Sequence, residues 1–301
     1  MLFRSSAPAV GLGANTTYHF RIVASSQGGT GTGSDLTFTT PPNPPAISLV
    51  SPGAGPVAGG TVVSITGVNL NEATNVKFGA SNAASFAVVS PTLLTAVSPP
   101  GTGTADVLVT TPGGTSSASS ADRFSYVPLP TLTSNTPARG PIAGGTSVTI
   151  AGTNLSGATS VKFGLSPAAR FTVNSATSIT AVAPAAEIVS VVDVTVTTAG
   201  GTSLLTSTDR FTYGPTITAV TPNTGPTAGG TSVTITGTGF AIGTSYTIIE
   251  FGAKRATPVS CISTTTCTTL SPPHEAAIVD VKVTVNKVST LKTTSDRFTY
   301  S

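Results

Sequence analysis

The sequence predicts an all-β chain: three tandem β-sandwiches in a rod, preceded by a partial sandwich that amounts to a single β-hairpin. Three observations carry this. One unit of sequence recurs three times at near-constant spacing. Inside each unit apolar residues alternate with Thr and Ser at period two, the mark of half-buried strands. Glycines and prolines return roughly every 8–12 residues, as turns between short strands do.

Composition agrees. Charged residues are 8% of the chain, against about 25% in an ordinary soluble domain. With 39% hydrophobic residues the chain is too apolar and too β-branched to be disordered. The net charge of +3 is spread thinly, and no stretch gathers Lys or Arg into a nucleic-acid footprint. No apolar run approaches the length of a membrane-spanning helix, so membrane insertion is not expected.

Residues 1–40 stand apart from the repeats. In "LGANTTYHFRIVASSQGGTGTGSDLTFTTPP" the period-two pattern puts Tyr18, Phe20, Ile22 and Ala24 on the inner face of one strand. Leu36 and Phe38 take the same face of the next, after a turn at "GGTGTGS". The stretch is similar to the C-terminal part of a fibronectin type III domain, a resemblance that makes Leu12 and Tyr18 its tyrosine-corner pair. Only about two of the usual seven or so strands are present, and a two-stranded hairpin is marginal in water. Two explanations stand side by side. The natural chain continues upstream of Met1, which also accounts for a start, "MLFRSSAPAVGLG", with Arg4 but no apolar signal-peptide segment. Alternatively, another molecule completes the hairpin by strand addition. Residues 41–45, "PPNPP", form an extended, semi-rigid spacer.

The repeats follow, over 46–127, 131–214 and 216–301. "AGGTVVSI" at Ala58–Ile65 returns as "AGGTSVTI" at Ala143–Ile150 and Ala228–Ile235. Pro52, Pro137 and Pro222 are spaced by 85, and the closing "DRFSY" or "DRFTY" at Asp122, Asp209 and Asp296 by 87. Between them lie "VKFG" at Val76 and Val161 and "IEFG" at Ile249. Val148 and Ile150 alternate with Ser147 and Thr149, and Val194 and Val196 with Asp193 and Thr195. The glycine pair, the aromatic-Gly pair, "DVxVT" and the closing "RF[ST]Y" resemble the IPT/TIG family. Its members are immunoglobulin-like β-sandwiches of bacterial surface proteins, animal receptors and some transcription factors. One departure is "APA" at Ala183–Ala185 where the other units have "SPP". The joints "PLP" (Pro128–Pro130) and "GP" (Gly214–Pro215) are short and stiffened by proline, which predicts a rod on the order of 100 Å.

Candidate chemistry resolves mostly into structure. A phosphate cradle needs its glycines to lead into a helix N-terminus. Here they lead into a strand with no Lys behind them, so they read as a turn needing positive φ. Asp106, Asp193 and Asp280, and again Asp122, Asp209 and Asp296, recur with the repeat. A catalytic site is singular where a fold determinant recurs, so these acids suit hairpin hydrogen bonding or pairing with Arg123, Arg210 and Arg297. Glu72, Glu187, Glu250 and Glu275 are scattered and form no acid–base pair. His19 and His274 lie in different domains, too few for zinc, and no "GxSxG" elbow supports a serine triad. No cofactor, metal or catalytic residue is expected.

Aligning the units places Cys261 on Val88 and Val173, and Cys267 on Leu94 and Ile179. Two cysteines at aliphatic positions on adjoining strands suit a structural disulfide, with two buried thiols as the alternative. A disulfide would argue for an oxidising compartment. Sugar-stacking platforms are scarce. The chain has no Trp; Tyr126, Tyr213 and Tyr300, and Phe78, Phe163, Phe251, Phe124, Phe211 and Phe298, recur with the repeat and suit the core. Tyr246 is left over. Lys254, Arg255, Lys282, Lys287 and Lys292 give the last unit its solubility rather than a nucleic-acid interface.

Function is therefore expected to be that of a non-catalytic extracellular or cell-surface stalk. Its partners would be other protein domains or copies of itself, joined through residues 12–40 into a fibre. The alternative is an accessory carbohydrate-binding or spacer module of a secreted polysaccharide-active enzyme, with cell-surface glycans as ligand.

Overall fold

A computed structural model describes residues 8–243 and 246–301; Met1 and Arg4 lie outside the described residues. The chain divides into two compact units between Pro128 and Leu129. One holds a ribbon and a sandwich, the other two sandwiches. Regular structure among the described residues is all strand apart from a single 3-10 turn at Ser120–Asp122.

The ribbon has four short strands. β1 (Thr17–Phe20) pairs antiparallel with β4 (Leu36–Thr39), and β2 (Val23–Ser26) with β3 (Gly29–Thr32). Tyr18 stands opposite Phe38 and Phe20 opposite Leu36, so these four share one face, while Thr17, His19, Thr37 and Thr39 share the other. Two expectations are corrected. The strand does not run unbroken from Tyr18 to Ala24, because the ladder is interrupted at Arg21–Ile22. "GGTGTGS" is not the turn: Gly29–Thr32 is a strand, and the turn lies at Gln27–Gly28. Ladders are made by backbone groups, which a Gly-Thr alternation keeps intact; Ser25 and Thr30 add a hydroxyl pair at 3.1 Å.

In the first sandwich the strands are β5 (Ala46–Ser51), β6 (Ala54–Pro56), β7 (Val62–Val68), β8 (Asn75–Phe78), β9 (Ser81–Asn82), β10 (Ser85–Ser90), β11 (Leu93–Val97), β12 (Gly103–Thr111), β13 (Gly114–Thr115) and β14 (Arg123–Val127). One sheet runs β10-β11-β7-β5 and the other β6-β14-β12-β8-β9, with β13 folded onto β12. Only β6 and β14 pair in parallel. Strict alternation decides the core. Val63 and Ile65 on β7, and Leu94 and Ala96 on β11, are buried with Val76, Phe78, Val107, Val109, Phe124 and Tyr126 from the other sheet.

The second and third sandwiches repeat this order of strands around cores of their own. The recurring aromatics meet edge to face inside them: Phe78–Phe124 at 5.2 Å, Phe163–Phe211 at 5.1 Å and Phe251–Phe298 at 5.0 Å between ring centroids. The double glycine opens the second long strand. Gly59, Gly144 and Gly229 have φ of 76°, 75° and 76°, and a Cβ on Gly59 would sit 2.5 Å from the Pro99 carbonyl carbon. Positive φ and close backbone approach together exclude a side chain.

Candidate functional site

The two recurring acid sets serve different ends. Asp106 and Asp193 face Arg123 and Arg210 across the strands at 3.9 and 3.8 Å, in exposed positions. In the third sandwich Asp280 pairs instead with Lys292 at 2.7 Å, a hydrogen bond that raises the lysine's pKa. Asp122, Asp209 and Asp296 are buried. Their Oδ2 atoms accept from the backbone N–H of Ser119 (2.8 Å), Thr206 (2.7 Å) and Thr293 (2.9 Å). Each thus holds the loop that leads into the closing strand. The buried phenols fill core positions rather than a cleft. Burial pushes Tyr213 up to about 12, and its hydroxyl donates to Pro184 O at 2.9 Å. Among the described residues no group of three or more His, Cys, Asp or Glu is placed to hold a metal ion. No described helix is long and apolar enough to cross a membrane.

Cys261 and Cys267 stand directly opposite each other on Val259–Ser263 and Thr266–Leu270. Their sulfurs are bonded, with Cα atoms 4.0 Å apart. Val88–Leu94 and Val173–Ile179 are the same cross-strand pair in the sister sandwiches. Burial differs, for Val88 is 38% exposed and Cys261 only 3%. The segment between Phe240 and Ile249 is longer than its counterparts. Gly243 within it exchanges backbone hydrogen bonds with Cys261, at 3.1 and 3.3 Å, and covers the bridge. Nothing in the alignment marks that cover, because Gly243 has no equivalent in the other units.

The ribbon is the most unusual surface. Phe20 (47%), Leu36 (55%) and Phe38 (40%) are exposed on one face, with Tyr18 stacked on Phe38 at 5.8 Å. Tyr18 is anchored: its hydroxyl accepts from Gly13 N at 2.7 Å, as in a tyrosine corner. The opposite face is polar, with His19 Nδ1 and Asp35 Oδ2 2.7 Å apart and a Thr17–Thr39 hydroxyl pair at 2.8 Å.

Sequence reasoning placed the joints but missed the contacts across them. Between the ribbon and the first sandwich the spacer is pinned from both sides. Asn15 N donates to Pro41 O at 3.1 Å, and Asn69 Nδ2 to Pro44 O at 3.0 Å. On the sandwich side, a Cβ at Gly113 would lie 2.3 Å from Asn43 O. Between the second and third sandwiches the joint is apolar at its centre. Val189 of the second belongs to the core of the third, and Ile142 packs against both cores. The Arg139 guanidinium donates to Ser289 O, and Asn286 Nδ2 to Val189 O at 3.3 Å.

A family model matches each of the three sandwiches. The family model described as IPT/TIG domain matches residues 45–126, 130–213 and 215–300. No curated protein matches the chain. Among solved structures it is similar to the Plexin A4 full extracellular region, with 24% identity, 84% of this chain and 24% of that chain covered, and a TM-score of 0.41. It is also similar to SGBP-B from a complex xyloglucan utilization locus in Bacteroides uniformis, with 22% identity, 65% and 57% covered, and a TM-score of 0.27. The SGBP-B of a Bacteroides ovatus mixed-linkage glucan utilization locus, in complex with a mixed-linkage heptasaccharide, gives 16% identity, 86% and 71% covered, and a TM-score of 0.26. The chain thus spans about a quarter of the plexin chain and less than two thirds of the Bacteroides uniformis protein.

Proposed function

The chain belongs to the IPT/TIG domain family, and on that premise we propose that it is a non-catalytic extracellular stalk of a bacterial surface protein, extended by strand addition at residues 12–40. The observation that carries this reading is the ribbon. A two-stranded amphipathic ribbon is marginal in water, and this one leaves Phe20, Leu36 and Phe38 uncovered on a single face. That face needs a partner sheet, and the free backbone edges of β1–β4 offer the hydrogen bonds that would recruit one. A second copy of the chain is the partner proposed. The disulfide suits an oxidising compartment. A charge-poor Thr/Ser exterior suits a spacer rather than a nucleic-acid or catalytic surface.

The test is the mass of the full chain in solution as concentration rises, by light scattering and sedimentation. Assembly that grows with concentration, and that Phe20→Ser with Phe38→Ser abolishes, supports the reading. A chain that stays monomeric at millimolar concentration ends it.

A further inference from the structure

A cavity of about 510 Å³ opens where the ribbon, the spacer and the first sandwich meet, within the size range of small-molecule sites. Its polar lining is Asn15 from the ribbon, Asn43 from the spacer, Asn69, Asn71 and Glu72 from the loop after β7, and Thr111 at the end of β12. Four of the eleven asparagines of the chain thus converge on one opening. An amide side chain offers two donors and an acceptor oxygen. Asn69 spends its amide N–H on Pro44 O and keeps its oxygen free to accept. The side chains of Asn15, Asn43 and Asn71 make no hydrogen bond to another described residue.

Charge narrows the ligand. Glu72 is the single charged residue in the lining, and no Lys or Arg is present to pair with an anion. The opening is wide for a bare cation, and one carboxylate is thin provision for a divalent ion that takes six to eight oxygens. Interleaved amide donors and acceptors with one carboxylate match vicinal hydroxyls, each of which both donates and accepts. Pro42 and Pro112 on the walls offer apolar surface to the C–H face of a ring.

Position in the repeat makes the site singular. Asn71 and Glu72 align with Ser156 and Gly157 in the second sandwich and with Ala241 and Ile242 in the third. Fold determinants recur with the fold; these residues do not. The walls are also held in place, since the spacer is hydrogen-bonded to the ribbon through Pro41 and to the sandwich through Pro44. We propose that this joint binds a neutral sugar through Asn15, Asn43, Asn71 and Glu72. The proposal goes beyond the stalk reading and does not rest on it.

The test titrates the full chain with methyl β-glucoside, methyl β-galactoside, methyl α-mannoside and cellobiose, following the backbone amides of the four residues by NMR. Saturable shifts with at least one sugar are expected. Affinity should fall at least tenfold in Asn71→Ser with Glu72→Gly, roughly the loss of two hydrogen bonds. That variant carries the second sandwich's own residues, and an unchanged melting temperature would show that the fold is kept. The proposal is overturned by the absence of shifts with all four sugars, or by equal affinity in the variant. Calcium ion alone saturating the same amides would overturn it too, making the joint a cation site.

Discussion

Asn69–Glu72 in the first sandwich and Gly239–Ile242 in the third occupy the same loop of the repeat, and each loop faces the element that precedes its sandwich. Around the first loop the groups are amides, a carboxylate and prolines, and water reaches them. Around the third, Ile142, Val189 and Phe240 meet in a shared apolar core, with Val189 4% exposed, while Glu187, Ile188, Ile242 and Asn286 rim an opening beside it. Gly239 lets the second sandwich come close, for a Cβ there would meet Val189 Cγ2 and Pro215 Cα at 3.2 Å. A few side chains on one scaffold therefore turn a joint from a polar opening into a shared core. The scaffold dictates where neighbours meet; the loop decides whether they fuse.

The largest effect should come from putting a charge into the fused joint. Val189→Asp buries a carboxylate where the third sandwich keeps a valine, at a cost of about 3 kcal/mol or more. Denaturant unfolding should show the loss in the third sandwich, although the substitution lies in the second. Asn15→Asp at the open joint should stay within about 0.5 kcal/mol of the parent. Equal losses in the two variants would erase the distinction between the joints.

A smaller effect is expected at the disulfide, which holds the strand that Gly243 bridges at Cys261. Cys261→Val with Cys267→Ile installs the pair the second sandwich has at Val173 and Ile179, keeping the core filled while removing the cross-link. Loop-closure entropy for so short a ring predicts a loss of about 2 kcal/mol. An unchanged unfolding midpoint would show that the bridge does not act as a staple.

The sandwiches were legible in the sequence because their cores are written at period two and in triplicate. Val148, Ile150, Val194 and Val196 are all buried as their alternation predicts, and the cysteine alignment reproduces the observed register. The ribbon was half legible. Tyr18, Phe20, Leu36 and Phe38 do share a face, but composition mistook Gly29–Thr32 for a turn, since glycine marks both turns and bare ladder positions. The joints were legible in position, through their prolines, but not in the contacts that hold them. Asn15, Asn43 and Asn71 form no spacing motif, and only the folded spacer brings them together. Val189 sits just before the strand that begins at Ser190, and nothing local in the sequence says that it fills the neighbouring core.

The smallest effect separates the fused joint from its support. Leu291 and Thr293 border the crevice beside Arg139 and Gly214, and Asp296 holds Thr293 through its backbone N–H. Burial pushes the Asp296 carboxyl above the ordinary range and the Asp280 carboxylate adds to the push, while the Thr293 N–H and Arg297 pull it back. A raised pKa means that the folded chain binds this proton more tightly than the unfolded chain does. The resulting stability is fully present below the ordinary carboxylate value of about 4 and is lost as pH rises through the raised value. Asp296→Asn keeps an oxygen for Thr293 and carries no charge at any pH. The parent should therefore lose stability relative to this variant as pH climbs from about 4, with the two curves running parallel below that point. Melting temperatures across that window measure it. A parent that gains on the variant as pH rises would mean that hydrogen bonding to the carboxylate, not its burial, governs the loop that supports the joint.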